Sequence, residues 1–235
     1  MTPDGLVLGI YRQKNAGQLH DLLATGGHLR VALWALDAVS PRLAHTTVGC
    51  GPGPKFDLLN RLLATAKPAP SEAVVIVDDD IKFVRGGLDE FVGISAAAGF
   101  DLAQPAHGRG SHLSHEITRR RALSIARLTT FVEIGPLFVC NPPRRELFLP
   151  FPEGAGMGWG LDLAWHDRHR EGAVLGIVDR VVLRHDAPAG AEYDLEAHRA
   201  RNRERLTARG LERMADVQAV LATWRPWQKR PPWKA

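Results

Sequence analysis

The sequence AVVIVDDD at residues 73–80 carries five apolar residues straight into three carboxylates. An apolar run of this length is typical of a strand that is buried on both faces of a sheet. Side chains alternate along an extended backbone, so we expect Asp78 and Asp80 to point one way and Asp79 another. Three adjacent carboxylates repel one another unless a cation lies among them. The stretch therefore predicts a Mg²⁺ or Mn²⁺ site at the end of a strand.

Purely structural roles are the alternative for these acids, because carboxylates often form turns or cap helices where strands end. A single Asp at this place would fit either interpretation. Three Asp in succession after a buried strand favour a site.

Strand-like and helix-like segments alternate through the first 105 residues. We predict strands at 6–11, 29–36, 73–78 and 101–105, with helices at 16–24, 56–64 and 88–98 between them. Such alternation favours an α/β fold with a mixed, mostly parallel sheet flanked by helices. Ligands of these sheets bind beyond the carboxyl ends of the strands, where Tyr11, Asp37 and the acids at 78–80 are expected.

The second half of the chain is less regular. A glycine-rich loop at 154–160 precedes a predicted helix at 161–169, and two short strands at 174–183 lead to His185. Beyond Asp194 an apolar stripe predicts one long helix that reaches Trp224. We therefore predict a catalytic domain over residues 1–190. A C-terminal helical extension with a basic Trp/Pro tail follows over 191–235, within the same structural unit.

Composition indicates a globular, cytoplasmic protein. The chain is 45% hydrophobic and 24% charged, and its two cysteines, Cys50 and Cys140, lack disulfide-framework or zinc-site spacing. We expect no signal peptide, and no run approaches the about 18 apolar residues of a membrane span.

The net charge of +4 is unevenly distributed. From Arg199 onward ten basic residues face three acids, so the tail is basic and the body mildly acidic. A solvated helix face is one interpretation of this tail, and peripheral contact with anionic lipid or with another acidic partner is the other. Nucleic-acid binding is not expected, because the body lacks a basic, aromatic face.

Two further segments carry groups that suit a site. In GWGLD at 158–162, the glycines allow close backbone approach, Trp159 offers a flat apolar face, and Asp162 stands in the first turn of a helix. Asp162 is a candidate proton acceptor, although a helix cap is an equally good interpretation. His185 ends a predicted strand and is a candidate metal ligand, although a lone histidine there is more often structural.

Weaker signals surround these segments. Lys55 opens a predicted helix and is placed to meet a phosphate, although the spacing is not that of a Walker A loop. Arg12 and Asp37 follow the first two strands and are candidates for nucleotide contact. Glu133 and His115 are candidates for an acceptor side.

Taken together, these residues resemble the glycosyltransferases of the GT-A type. In that class a D-x-D after a buried strand holds Mn²⁺ or Mg²⁺ against a sugar nucleotide, a W-G-x-D-like segment opens an acceptor-side helix, and a late His completes the metal shell. More narrowly, the chain resembles a plant and bacterial family that carries a domain-of-unknown-function label. The segments that support the narrower resemblance are 77–80, 104–105, 131–134, 158–162 and 176–185.

The resemblance implies a Rossmann-like GT-A fold and metal-dependent sugar transfer from a nucleotide diphosphate sugar to a glycan or small-molecule hydroxyl. Asp162 would be the catalytic base if the enzyme inverts the sugar configuration, and otherwise would bind the acceptor. The remaining roles it implies are metal binding by Asp78, Asp80 and His185, donor binding by Tyr11, Arg12, Asp37, Lys55 and Asp78, and acceptor binding by Trp159, Glu133 and His115.

Two other functions remain open at this stage. One is a non-catalytic module that binds sugar nucleotides or glycans without turnover. The other is a phosphohydrolase with an Asp nucleophile, although that class expects its D-x-D on the first strand and a small hydroxyl residue where Lys82 stands.

Overall fold

A computed structural model describes residues 4–186 and 203–234. These ranges contain the helices α1 (Ala16–Leu23), α2 (Lys55–Ala66), α3 (Leu88–Ala98) and α4 (Leu161–Arg170). Residues 203–207 are also helical. The strands of the first half are β1 (Gly5–Tyr11), β2 (Arg30–Ala35), β3 (Thr47–Cys50), β4 (Ala73–Asp78) and β5 (Ile81–Arg85). Those of the second half are β6 (Leu102–His107), β7 (Ala126–Thr129), β8 (Leu137–Cys140), β9 (Leu175–His185) and β10 (Val220–Trp224).

The strands of the described residues form one sheet in the order β10-β7-β9-β6-β8-β4-β1-β2-β3, and β5 pairs with β9. β1 to β4 run parallel, β8 and β7 run against their neighbours, and β6 and β9 share the direction of β4. Seven of these ten strands therefore point the same way. The predicted α/β class with a mixed, mostly parallel sheet is confirmed.

Helices cover both faces of this sheet, which explains why β4 reads as a continuous apolar run. Val75 and Val77 face α1 and α3, whereas Val74 and Ile76 face α2 and α4. All four side chains are essentially inaccessible to solvent. Burial of an apolar side chain contributes roughly 1.5–3 kcal/mol, so β4 is a major source of stability. The alternation also puts Asp78 on the α2 face, in phase with Val74 and Ile76.

A buried ion pair lies at a bulge in β9. Three residues of β9, from Asp179 to Val181, bulge out of its pairing with β6. The Asp179 carboxylate accepts from Arg127 Nε at 2.7 Å and Nη2 at 3.0 Å, and both side chains are fully buried. Arg127 also donates to the carbonyls of Ile117 and Arg119, so the pair ties β7 and the segment before it to β9.

The C-terminal part differs from its predicted structure. The single helix expected to reach Trp224 is wrong for residues 214–224, which form a short 3-10 turn and then β10. β10 pairs antiparallel with β7, because the open edge of β7 offers unpaired backbone groups. The apolar stripe instead packs beside Phe131 through Leu206 and Val217.

Residues 191–202, the start of the predicted extension, lie outside the described residues, as does part of the basic tail. Lipid contact by that tail therefore stays a prediction. Within the described part of the chain, no helix is long and apolar enough to cross a bilayer.

The buried ion pair makes a stability prediction. Asp179→Ala should lower the free energy of unfolding by about 3–5 kcal/mol, because it leaves the Arg127 guanidinium buried without its counter-charge. Glu171→Ala is the control, since it breaks an exposed pair with Arg168 and should cost less than about 1 kcal/mol. Urea unfolding measures both. Equal losses in the two variants would contradict the role given to Asp179.

Candidate functional site

The carboxyl ends of β1, β2, β4, β6 and β9 meet at one edge of the sheet, because these strands run in the same direction. A tight turn joins β4 to β5 at this edge and contains Asp79 and Asp80. β5 then runs back against β9 with Ile81 opposite His185. This register places Asp80 beside the last residue of β9, although 105 positions separate the two in sequence.

Asp80 and His185 form a direct contact at this edge. His185 Nε2 lies 3.0 Å from Asp80 Oδ2, and both side chains are mostly buried. Burial alone would lower the pKa of His185, but the hydrogen bond to Asp80 and its charge raise that pKa above its usual value. Burial would raise the pKa of Asp80, yet the bond to His185 holds it below the usual value. The pair therefore favours its charged form.

Asp78 has a different partner. Lys55, the first residue of α2, places its Nζ 2.5 Å from Asp78 Oδ1. Gly135 passes close by, since a Cβ on it would lie 3.2 Å from Asp78 Oδ2. The backbone N–H of Asp78 donates to the Pro136 carbonyl, so the 133–136 segment forms one wall of the site.

Asp79 turns away from its two neighbours. Its Oδ2 accepts from the backbone N–H of Arg12 at 2.7 Å, which fastens the β4–β5 turn to the end of β1. Burial raises the pKa of Asp79 to about 6, against the effect of that bond.

An open cleft of about 390 Å³ adjoins this edge. It lies between the ends of β1 and β2, the start of α2 and the glycine-rich loop, and its lining comprises Arg12, Leu36, Pro52, Gly53, Pro54, Gly156 and Met157. Asp37 stands just beyond β2 and accepts from the backbone N–H groups of Gln13 and Ala38, which lowers its pKa.

The structure does not bring Tyr11 to this cleft. Its ring is fully buried in the core on the α1 and α3 face. Its hydroxyl lies 2.9 Å from Thr47 Oγ1 and accepts from the backbone N–H of Ser40. Tyr11 therefore fixes the ends of β1 and β3.

Two acids with little access to water lie near the charged edge: Asp162 is buried, and the side chain of Glu133 is 12% exposed. Asp162 is 7% exposed in the first turn of α4, and its carboxylate accepts from the Leu163 N–H. Burial raises the pKa of Asp162 to about 6. Burial likewise raises the pKa of Glu133 to about 7, and the charge of Asp162 adds to this rise. Both carboxyl groups therefore titrate near neutral pH.

His107 belongs to the same group, although the sequence interpretation did not select it. It ends β6 with 1% exposure, and its Nε2 lies 3.9 Å from Glu133 Oε2. Neither atom has a hydrogen-bond partner among the described residues. Burial lowers the pKa of His107 to about 4, so its ring is neutral. The strand-end rule that selected His185 would also have selected His107.

Trp159 and His115, the two other predicted acceptor-side residues, each contact the C-terminal part of the chain. Trp159 is half-buried in the glycine-rich loop, and its carbonyl accepts from Arg205. Gly158 before it has φ +84, and a Cβ there would lie 2.1 Å from the Phe56 ring, so only glycine fits. His115 packs edge-on against Phe131, and its Nδ1 lies 2.8 Å from Gln218 Nε2, which ties it to the C-terminal segment.

Of the three predicted metal ligands, Asp80 and His185 are in contact with each other, whereas Asp78 forms an ion pair with Lys55. Across residues 4–186 and 203–234, no three His, Cys, Asp or Glu side chains are close enough to form a metal site. The oxygen and nitrogen that Asp80 and His185 offer side by side are nevertheless a donor set that fits Mn²⁺.

No protein-family model and no curated protein sequence matches this chain. Solved structures do match its fold. The crystal structure of GalNAc-T7 with UDP, GalNAc and Mn²⁺ matches 82% of this chain with a TM-score of 0.52 and 10% identity. The crystal structure of S. aureus TarS 1-349 matches 77% with a TM-score of 0.51 and 12% identity.

Both neighbours are glycosyltransferases of the GT-A type, so the comparison shows that this chain has the GT-A fold. The chain spans only 45% of the first solved chain and 60% of the second. The narrower plant and bacterial family stays a prediction.

The buried acids make a pH prediction. The folded state raises the pKa of Glu133 from 4.5 to about 7, so wild type loses stability as pH rises through this window. Glu133→Gln cannot ionise and should gain stability relative to wild type between pH 5 and pH 8, on the order of 2 kcal/mol. Urea unfolding at both pH values measures the gain, and exposed Glu146→Gln is the control. A difference from wild type that does not change with pH would contradict the buried, ionising Glu133.

Proposed function

We propose that this protein transfers a sugar from a nucleotide diphosphate sugar to an acceptor hydroxyl and uses Mn²⁺ or Mg²⁺. The observation that carries the proposal is the contact of Asp80 with His185 at the carboxyl edge of a GT-A fold. An open cleft adjoins the same edge at the ends of β1 and β2. The GT-A neighbour GalNAc-T7 was crystallised with UDP, GalNAc and Mn²⁺, which supports a donor of this class.

The donor nucleotide would lie in the cleft beside Arg12 and the start of α2. Helix N-termini favour anions because their first N–H groups lack intrahelical partners, so the diphosphate is expected near Lys55. Asp37 stands at the end of β2, where it would meet the ribose or base. Tyr11 would act indirectly in this arrangement, by holding β1 and β3 in place.

A divalent ion would be held by Asp80 and His185, with Asp78 as a third ligand once Lys55 has moved. When bound, such an ion neutralises the charge that develops on the leaving diphosphate. The chain's own residues hold the site ready, because the β5–β9 register fixes Asp80 and His185 before any ligand arrives.

The acceptor would approach from the side of the buried acids. A carboxylate that titrates near neutral pH is well matched to take a proton from an attacking hydroxyl. We assign this role to Asp162, with Glu133 and neutral His107 orienting the hydroxyl. Trp159 would form a flat wall for the acceptor, and His115 would support the segment beside it.

Turnover with and without a chelator tests the proposal. Sugar release from a panel of UDP- and GDP-sugars should require Mn²⁺ or Mg²⁺ in wild type and should fall at least about 100-fold in Asp80→Ala, because the ion loses a charged ligand. The exposed Asp21→Ala on α1 is the control and should keep wild-type rates. Equal activity with and without chelator in wild type would exclude the role of the ion.

Asp162→Asn tests the proton acceptor. Removal of a general base should lower kcat by about 100- to 10,000-fold. Donor affinity should change little, because the diphosphate lies at the other side of the site. Steady-state kinetics and UDP titration separate the two effects. Full kcat in Asp162→Asn would transfer the role to another group.

A further inference from the structure

The pair formed by Lys55 and Asp78 is the shortest charged contact at the site. Its two atoms lie 2.5 Å apart, and the side chains are only 16% and 27% exposed. Ion pairs with so little access to water are stronger than surface pairs, because less solvent screens them. A divalent ion would need the carboxylate of Asp78, but that carboxylate is already paired with the ammonium of Lys55.

The backbone of Lys55 is fixed, whereas its ammonium is held by side-chain contacts alone, with Asp78 and over the Phe56 ring at 5.5 Å. The next residue, Phe56, donates its N–H to the Gly156 carbonyl, and its ring packs edge-on against Phe151 at 4.6 Å. These contacts hold the first turn of α2 against the glycine-rich loop. The four-carbon side chain of Lys55 can still rotate, so its charge can leave Asp78 without any change in the fold.

The alternative position for this charge is the adjoining cleft. Pro52, Gly53 and Pro54, which precede Lys55, line that cleft. Pro54 caps α2 without a side-chain hydrogen bond. A diphosphate bound there would offer the ammonium more than one negative charge, whereas Asp78 offers one.

We propose that Lys55 couples the binding of the divalent ion to the binding of the diphosphate. In the free protein its ammonium neutralises Asp78 and competes with the ion for that carboxylate. A diphosphate draws the ammonium away, and Asp78 then joins Asp80 and His185. Because such coupling is reciprocal, the ion strengthens diphosphate binding by the same factor. This inference rests on the proposed donor site and deepens it.

Binding measurements without any turnover test the inference. Mn²⁺ affinity is measured by isothermal titration calorimetry with and without UDP, in wild type and in Lys55→Met, which keeps the side-chain length and removes the charge. In the absence of UDP the variant should bind Mn²⁺ about tenfold more tightly, and the enhancement by UDP should shrink by a similar factor. UDP without Mn²⁺ should bind the variant more weakly.

A second variant acts from the opposite side of the pair. Asp78→Asn releases Lys55, so UDP without Mn²⁺ should bind more tightly than in wild type. Lys82→Met is the matched control, because Lys82 pairs with Asp186 at 2.7 Å in a more exposed place outside the D-x-D. Its Mn²⁺ and UDP affinities should equal those of wild type. Circular dichroism confirms that each variant is folded.

The outcomes separate the inference from the proposed function. Unchanged Mn²⁺ affinity and unchanged coupling in Lys55→Met would overturn the role of Lys55 and leave the donor site standing. Absence of both Mn²⁺ and UDP binding in wild type and in folded Lys55→Met would overturn both proposals. Weaker UDP binding with unchanged Mn²⁺ affinity would make Lys55 a phosphate ligand only and would also reject the coupling.

Discussion

The pairing of β5 with β9 is the constraint on which the site depends. It sets Ile81 opposite His185 and so brings Asp80, in the turn after β4, into contact with a residue from the far part of the chain. β9 pairs with β6 along its first part and with β5 near its end, because it is 11 residues long and bulges between the two. The buried pair of Arg127 and Asp179 lies at the bulge of β9, between its paired residues 178 and 182.

Two different electrostatic environments lie next to each other at this edge. The outer one contains carboxylates that face cations, with Asp78 at Lys55 and Asp80 at His185. The inner one contains Glu133 and Asp162, whose pKa values burial raises toward neutrality. The outer environment suits a charged diphosphate and a divalent ion. The inner one suits a neutral hydroxyl that must lose a proton.

Much of this arrangement could be predicted from sequence, because burial and strand direction leave a local pattern. The run of Val74 to Val77 predicts a central strand, and parallel strands put their ends together. Side-chain direction is harder. Tyr11 ends a strand as predicted, but it is in phase with Val7 and so points into the core. The β10 segment was predicted as helix, since its apolar spacing gives no sign that the edge of β7 is open.

Contacts between distant segments could not be read from the sequence. The sequence marks Lys55 and Asp78 separately as candidate site residues, yet their pairing depends on how α2 packs on β4.

The central claim is that Asp80 and His185 hold a divalent ion beside a nucleotide diphosphate. A crystal structure with UDP and Mn²⁺, with an anomalous difference map that locates manganese, tests it most directly. The claim predicts one manganese peak bonded to Asp80 and His185 Nε2 and to the diphosphate. A peak at any other place, with His185 still hydrogen-bonded to Asp80, would contradict it.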